Sequence, residues 1–374
     1  MSDLKKLSGA ASIIGVGSTD YFELKQAGES LPPLELAAQA VNLAIGDAGC
    51  SLNDIDGLMT MNFPTDALSL HLGLEGLRLT NDYLAGGRWV VPALQYASQS
   101  VATGVTNLIV IVLALSKAAS YSDSAAPGGN AAFEAMHAMG GPAAHSAQMT
   151  RRYSHEFGDC SEALCEVALS NRANALLNPQ AVFQKPLSRE DYFNSRWIAE
   201  PLRLFDYCMV NDGAVALVVS RSNTDTSRGV KLGGFASSSL QGPHYSDEKF
   251  YFDQSQIAAK EMFSMADIKP EDIDLLQIYD NYTPSVIFGL EGFGFTKRGE
   301  AAAFIEDGSI RREGSLPLNT SGGHTSEAYM QGMNLIAETV IQIRGEAGDR
   351  QVNGVSTACY LCVTPMSGGS VLWK

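Results

Sequence analysis

The sequence predicts an α/β protein in which helices and strands alternate in layers. Short apolar runs at 11–16 and 108–115 are typical of buried strands, and the segment 33–49 between them has helical apolar spacing. This alternation favours layers built on a mostly parallel sheet. With 374 residues and 45% hydrophobic side chains, the chain can bury a complete core without disulfides or a structural metal.

The predicted elements follow the chain in order. The first strand ends at Gly-Val-Gly, and the first long helix stops at Gly49, because glycine readily closes a helix. A turn at 51–58 leads into a second strand, a helix covers 96–104, and 108–115 is a strand buried on both faces. Later, 256–266 is helical and precedes a turn and a further strand.

One turn occurs twice. Asp54-Ile-Asp56 returns as Asp272-Ile-Asp274, at an offset of 218 positions. Turns between helices and strands favour Asp on their own, so a chance similarity is one explanation. The other is a duplicated fold with halves at 1–235 and 236–374, in which about 117–205 is an inserted region of the first half.

The charge of the chain restricts its partners. It has 26 basic and 41 acidic residues and a net charge of −15, which repels phosphate backbones and disfavours nucleic acid and anionic membranes. The longest apolar run, 108–115, is far shorter than the ~20 residues of a membrane span. The start of the sequence lacks the apolar stretch of a signal peptide. We therefore expect a cytoplasmic protein without a membrane span.

The cysteines predict neither disulfides nor a metal site. The six cysteines have no framework spacing, which favours reduced thiols. Cys359 and Cys362 form a lone CxxC, whereas zinc usually takes four ligands and the sequence offers no second pair. We expect no cofactor.

Two segments of the second half carry candidate functional residues. Tyr279 and Asp280 follow an apolar run, at the strand end where open α/β sheets place their sites. Farther on, Asn319 precedes the pair Gly322-Gly323, which lets backbone approach a ligand and leads towards a helix with free N–H groups for an oxyanion. A tyrosine at a strand end is usually a core residue and Gly-Gly usually a turn, so these residues alone leave both interpretations open.

Together these segments resemble the thiolase superfamily, in particular its sterol-carrier-protein, lipid-transfer branch. The similarity covers nearly the whole chain and is carried by the 54–58 turn, Asp212-Gly-Ala214, the 279–284 segment and the loop that begins at Asn319. It implies the thiolase fold, in which duplicated βαβαβ halves form a five-layered αβαβα arrangement.

The catalytic residues of a thiolase are absent. The two histidine positions of the thiolase motifs fall on Tyr279 and Tyr329, and the position of the nucleophilic cysteine falls near Gly87. Acyl transfer through a cysteine requires the thiolate itself. The pattern therefore argues against a working thiolase.

A narrower resemblance accounts for the tyrosines. The segment 194–206, the 279–284 motif and the stretch from Gly322 to Asn334 resemble the steroid side-chain-cleaving aldolases. That resemblance implies retro-aldol cleavage of a steroid β-hydroxyacyl-CoA into a ketone and a short acyl-CoA. Tyr279 and Tyr329 are implied as its acid and base. The residues implied in substrate binding are Asp280, Asn319, Gly322, Gly323 and His324.

The chemistry leaves the two tyrosine roles open. A free phenol has a pKa of about 10, so the tyrosine that acts as base needs a depressed pKa or a helpful neighbour such as His324. The other can donate its proton unshifted. Neither the residues nor the resemblance decides which tyrosine is which.

The resemblance also implies partners. It predicts a homodimer that binds a small zinc-ribbon/OB-fold protein to give a heterotetramer, with any zinc held by that partner, in steroid degradation. Two other functions stay open. One is a thiolase-like acyltransferase that uses Cys359 or Cys362, and the other is a non-catalytic subunit that binds acyl-CoA or lipid.

Overall fold

The computed structural model describes residues 4–83, 87–117, 136, 141–222, 228–239, 251–364 and 366–374. The strands are β1 (Ala11–Ser18), β2 (Gly57–Met61), β3 (Leu79–Tyr83), β4 (Leu108–Leu115), β5 (Trp197–Ala199), β6 (Leu202–Arg203), β7 (Gly213–Arg221), β8 (Val230–Ser239), β9 (Leu275–Ile278), β10 (Thr357–Cys362) and β11 (Met366–Trp373). The helices are α1 (Tyr21–Ala27), α2 (Pro33–Ala48), α3 (Thr65–Leu72), α4 (Val90–Thr103), α5 (Pro142–Phe157), α6 (Ser161–Ala175), α7 (Arg189–Asn194), α8 (Phe252–Ala266), α9 (Pro284–Gly292), α10 (Ala301–Glu306) and α11 (Met333–Arg344).

Nine of these strands form one mixed sheet in the order β3-β2-β4-β7-β1-β8-β11-β10-β9. The pairs β2–β3, β2–β4 and β9–β10 are parallel, and the other neighbours are antiparallel. The expectation of a mostly parallel sheet was wrong. Strand β7, which follows β4 into this sheet, runs beside it in the opposite direction, and β10 and β11 pair as a hairpin. The alternation of helix and strand therefore does not continue throughout the chain.

The layers stack as the resemblance implied. On one outer face of the sheet, helix α2 covers β1, β4 and β7 and α3 covers β2. On the other outer face, α8 and α9 cover β8, β9 and β11. Helices α4 and α11 form the middle layer. They pack between one part of the sheet, which includes β1, β4 and β7, and the other part, which includes β8, β10 and β11. In β4, Val110 and Val112 face α2 while Ile109 and Ile111 face the middle layer, as the two-residue period of a strand requires. The five-layered fold class is confirmed.

The repeated turn has the same geometry in both copies. The carboxylate of Asp56 accepts hydrogen bonds from the backbone N–H groups of Asn107 and Leu108, where β4 begins. The carboxylate of Asp274 does the same for Ser356 and Thr357, where β10 begins. Each aspartate thus joins the starts of two neighbouring parallel strands, β2 and β4 in one half and β9 and β10 in the other.

Helices α5 to α7 and the hairpin β5–β6 lie between β4 and β7 in the chain. The predicted division into 1–235 and 236–374 falls inside β8 (Val230–Ser239), which pairs with β11 along most of its length. A boundary before Val230 would leave that strand whole. Among the described residues, no helix has both the length and the apolar character needed to cross a bilayer.

Candidate active site

Two tyrosine hydroxyl groups meet in the middle layer. Tyr279 directly follows β9, as predicted, and Tyr329 follows a helical turn at Gly323–Glu327. Their phenolic oxygens are 2.8 Å apart, and the two residues are only 4% and 6% exposed. Residues fifty positions apart in sequence therefore form one hydrogen-bonded pair.

Asp280 fastens this turn to the end of β9. Its carboxylate accepts hydrogen bonds from the backbone N–H of His324 (2.8 Å) and the amide of Asn171 (2.7 Å). Burial raises the pKa of Asp280 to about 6. Its predicted role in substrate binding stays a prediction, and its contacts here brace the loop that carries Tyr329.

Asn319 braces the same loop from the other side. Its side-chain oxygen accepts from the N–H of Ile278 (2.8 Å), and its amide nitrogen donates to the carbonyl of Ile278 (3.1 Å). The residue is fully buried and has a φ of 50°, a conformation that asparagine tolerates better than most residues. This double hydrogen bond holds the backbone immediately before Tyr279, and a direct contact with substrate remains a prediction.

The glycine pair is required by close packing. A Cβ atom on Gly322 would lie 2.7 Å from the Cβ of Ala175, and one on Gly323 would overlap the carboxylate of Asp280. Both residues also have positive φ angles, 116° and 61°. The N–H of Gly322 donates to the carbonyl of Asn319 (2.8 Å), so it is engaged within the loop and not presented to an oxyanion.

His324 packs its ring edge-on against both phenols. Its ring centroid is 4.8 Å from that of Tyr279 and 5.3 Å from that of Tyr329. Burial lowers the pKa of His324 to about 3, which keeps the imidazole neutral. Its Nε2 accepts from the N–H of Gly332 (3.0 Å), which places the proton on Nδ1, 3.3 Å from a carboxylate oxygen of Asp280.

Gly87 lies against the hydroxyl of Tyr279. A Cβ atom on Gly87 would be 2.6 Å from the phenolic oxygen of Tyr279. The glycine opens a helical turn (Gly87–Trp89) that continues into α4. The position predicted for a thiolase nucleophile is therefore beside the tyrosine pair, and it carries no side chain.

The two cysteines of the CxxC motif face opposite sides of β10. Cys359 points into the layer of α8, with its sulfur 4.0 Å from that of Met262, whereas Cys362 points into the middle layer. Burial raises the pKa of both thiols, that of Cys362 to about 12. Such thiols are poor nucleophiles. Within the described ranges, no group of three or more potential metal ligands occurs.

A pocket of about 130 Å³ is connected through Asn211 to the loop that carries Tyr329. Its walls include the apolar side chains of Phe183 and Met209 and the cationic side chains of Lys25 and Lys117. Asn211 also lines it, and its side-chain oxygen accepts from the N–H of Tyr329 (2.7 Å). Asn211 therefore connects the pocket to the loop that presents Tyr329.

A buried carboxyl group supports that loop. Glu327 accepts hydrogen bonds from Ser321 (2.7 Å), Asn334 (2.6 Å) and Asn178 (3.2 Å). Burial raises the pKa of Glu327 to about 7. These contacts tie the loop both to α11 and to the segment that follows α6.

Several supporting residues were not identified from the sequence. Asn171 donates to the carboxylate of Asp280, and Asn211 accepts from the backbone of Tyr329. The available signal for Asn171 was the group of polar residues at 170–172 and 174, which follows the apolar residues 167–169 of the same helix and which a buried hydrogen-bond network explains. Asn211 directly precedes Asp212-Gly-Ala214, a segment that contributed only to the family resemblance, so nothing local indicated a separate role for Asn211.

The stacked halves, with a site at the end of β9, define a thiolase-fold protein, and residues 237–369 match the family model described as thiolase C-terminal domain-like. The chain is 36% identical to a 17-hydroxy-3-oxo-4-pregnene-20-carboxyl-CoA lyase of Mycobacterium tuberculosis, with 97% of each chain covered. It is also 36% identical to a steroid side-chain-cleaving aldolase of Thermomonospora curvata, with 91% of each covered. The solved structure of an Ltp2–ChsH2(DUF35) aldolase matches with a TM-score of 0.89 and 34% identity over 98% of each chain.

The chain belongs to the family of steroid side-chain-cleaving aldolases within the thiolase superfamily. Both levels of the resemblance predicted from the sequence motifs are thereby confirmed.

Proposed function

We propose that this chain is a carbon–carbon lyase that cleaves the side chain of a steroid β-hydroxyacyl-CoA by a retro-aldol reaction. The observation that carries the proposal is the buried pair of phenols, 2.8 Å apart, beside the empty nucleophile position at Gly87. The names of the two curated relatives, a steroid carboxyl-CoA lyase and a steroid aldolase, support the same reaction and substrate class.

The reaction needs one base and one acid. One tyrosine, as phenolate, takes the proton of the substrate's tertiary hydroxyl group, and the bond between Cα and Cβ breaks to release a ketone. The electron pair passes to the thioester as an enolate. The second tyrosine then protonates the α-carbon, which yields the short acyl-CoA.

The hydrogen bond between the tyrosines supports this scheme in two ways. A phenolate on either oxygen accepts a hydrogen bond from the other phenol, which stabilises the charge in a water-poor site. After the reaction, transfer of one proton along the same 2.8 Å hydrogen bond restores the starting state. His324 contributes the packing that holds both rings.

The pocket lined by Asn211 offers groups suited to one part of an amphipathic thioester. Apolar walls such as Phe183 suit an acyl chain or its pantetheine arm, and Lys25 supplies positive charge for a CoA phosphate, whereas Lys117 lies 3.9 Å from the carboxylate of Asp212 in the same lining. No cofactor enters the scheme, because acid and base are both side chains of this protein. The substrate-binding roles of Asp280 and Asn319 would be indirect, through the loop that they brace.

The proposed assembly is a homodimer bound to a small zinc-ribbon/OB-fold protein. The solved relative carries ChsH2(DUF35) in its name, which supports a second, small protein. Strand β3 stands at the end of the order of the described strands, so one of its edges is open to pairing with a second copy of the chain. A cytoplasmic location remains a prediction that rests on the six cysteines without disulfides.

The decisive experiment measures turnover of a steroid β-hydroxyacyl-CoA by the chain co-expressed with its small partner. Ketone and short acyl-CoA are followed by mass spectrometry for wild type, Tyr279→Phe and Tyr329→Phe. We expect products without added free CoA and a loss of ~10²-fold or more in both variants, as for removal of an acid or base. Tyr360→Phe is the matched control, since this tyrosine is buried in the same layer and its removal leaves both hydroxyl groups of the pair in place.

Other outcomes favour the two remaining functions. Cleavage that requires free CoA and is abolished by Cys362→Ala, the CxxC cysteine that faces the middle layer, would indicate an acyltransferase and contradict the aldolase. Tight binding of the thioester without turnover, unaffected by either tyrosine variant, would indicate a binding subunit.

A further inference from the structure

Gly87 is a glycine for a reason other than backbone conformation. Its φ lies outside the left-handed region, and it begins an ordinary helical turn before α4. Other residues could adopt this backbone. What distinguishes the position is its surroundings, because the nearest atoms to an added Cβ all belong to the side chain of Tyr279.

We propose that Gly87 is a positioning residue whose missing side chain admits the Tyr279 hydroxyl to the site and sets its contact with Tyr329. The proposal rests on the function proposed above. An added methyl group would lie 2.6 Å from the phenolic oxygen, 2.9 Å from Cζ and 3.1 Å from Cε2. Carbon–oxygen contacts this short are not tolerated, so the ring would have to move.

The ring of Tyr279 has little room to move. Its ring packs against that of His324 with the two centroids 4.8 Å apart and the planes at 72°, and its hydroxyl is hydrogen-bonded to that of Tyr329. His324 is itself fixed through Gly332 and Asp280. A side chain at position 87 would therefore push the hydroxyl away from its partner before it displaced the surrounding backbone.

The same geometry means that a nucleophilic side chain at position 87 and a catalytic hydroxyl on Tyr279 exclude each other. A side chain at 87, a nucleophilic cysteine included, and the hydroxyl of Tyr279 would occupy the same space. Gly87 and Tyr279 therefore depend on each other. A side chain at 87 displaces the hydroxyl, and without the hydroxyl the space left by the glycine has no role.

The test is a double-mutant cycle in the complete enzyme with its partner. We expect Gly87→Ala to lower kcat by ~10²-fold or more with KM changed by less than about threefold, because a displacement of about 1 Å of an acid–base group has effects of that size. Gly87→Ala combined with Tyr279→Phe should be no slower than Tyr279→Phe alone, since the hydroxyl that the methyl displaces is already gone.

Two further measurements make the test decisive. Gly46→Ala is the matched control, because no atom lies within 4 Å of its added Cβ and it should match the wild type. A crystal structure of Gly87→Ala should show the two phenolic oxygens beyond about 3.5 Å, outside hydrogen-bond reach. If the wild type has no aldolase turnover, the proposed function fails and this structure alone decides the role of Gly87.

Three results would overturn the inference. The first is a Gly87→Ala enzyme with kcat within about threefold of an active wild type. The second is a double variant whose losses add, which would mean that Gly87 acts independently of the hydroxyl. The third is a Gly87→Ala structure in which the 2.8 Å contact between the tyrosines is unchanged.

Discussion

The two halves of the molecule place the same turn before equivalent strands and end those strands with different chemistry. The offset of 218 that aligns Asp56 with Asp274 also aligns Met61, the last residue of β2, with Tyr279. Both side chains are buried in the middle layer. The fold therefore supplies an equivalent buried position in each half, but only the second half fills it with a group that can exchange a proton.

The next residue explains why the second half also gains a partner for that group. Asn62 follows Met61, is exposed, and its side-chain amide donates to the half-buried side chain of Gln331. Asp280 follows Tyr279, is fully buried, and holds the turn that precedes Tyr329. The buried carboxylate of Asp280 thus accepts hydrogen bonds from the loop and holds the second tyrosine beside Tyr279 at the end of the strand.

The largest difference in stability between equivalent substitutions of the two halves is expected at Asp280. Asp280→Ala leaves the N–H of His324 and the amide of Asn171 without this acceptor in the interior, so we expect the free energy of unfolding to fall by about 4 kcal/mol. Asn62→Gly, at the counterpart position, removes only an exposed hydrogen bond and keeps a residue type that adopts a φ of 75°, so it should change the free energy of unfolding by less than about 1 kcal/mol. Urea unfolding of both variants at a fixed neutral pH measures this, and equal effects would contradict the difference drawn between the halves.

Glu327, in the loop that carries the second tyrosine, makes the free energy of unfolding depend on pH. Its pKa is raised from 4.5 to about 7 by folding, so the folded state keeps its proton at higher pH than the unfolded state. The resulting stabilisation is fully present below pH 4.5 and is lost as the pH rises through 7. Across that interval, wild type should lose roughly 3 kcal/mol relative to Glu327→Gln.

The measurement for Glu327 is urea unfolding of both proteins at several pH values. Glu35→Gln, which changes an exposed carboxylate on α2, serves as the control. Parallel curves for wild type and Glu327→Gln would show that this carboxyl group does not titrate differently on folding.

The smallest effects are expected where the halves are alike. Asp56→Ala and Asp274→Ala each remove the acceptor for the N–H groups at the start of a neighbouring strand. Because both sites are partly accessible to water, each change should lower the free energy of unfolding by about 1 kcal/mol. Guanidinium unfolding of the two variants checks this, and a loss confined to one of them would weaken the structural equivalence of the turns.

Much of the site could be anticipated because its residues stand in continuous motifs. Tyr279, Tyr329 and the absence of a nucleophile near Gly87 were all recognised from local patterns and a family resemblance. The hydrogen bonding of the glycine loop could not be recognised in that way. The N–H of Gly322 donates to the carbonyl of Asn319, a contact that depends on how the loop closes on itself.

The sequence by itself determined the order of helices and strands, the repeated turn and the residue types at the site. These depend on spacing along the chain, which periodicity and turn chemistry report directly. Only the tertiary structure decided the direction of β7 beside β4, the opposite facing of Cys359 and Cys362, and the contact between the two phenols. Those features depend on packing between distant segments, where the fit of a ring against Gly87 or a carboxylate against a turn has no local signature.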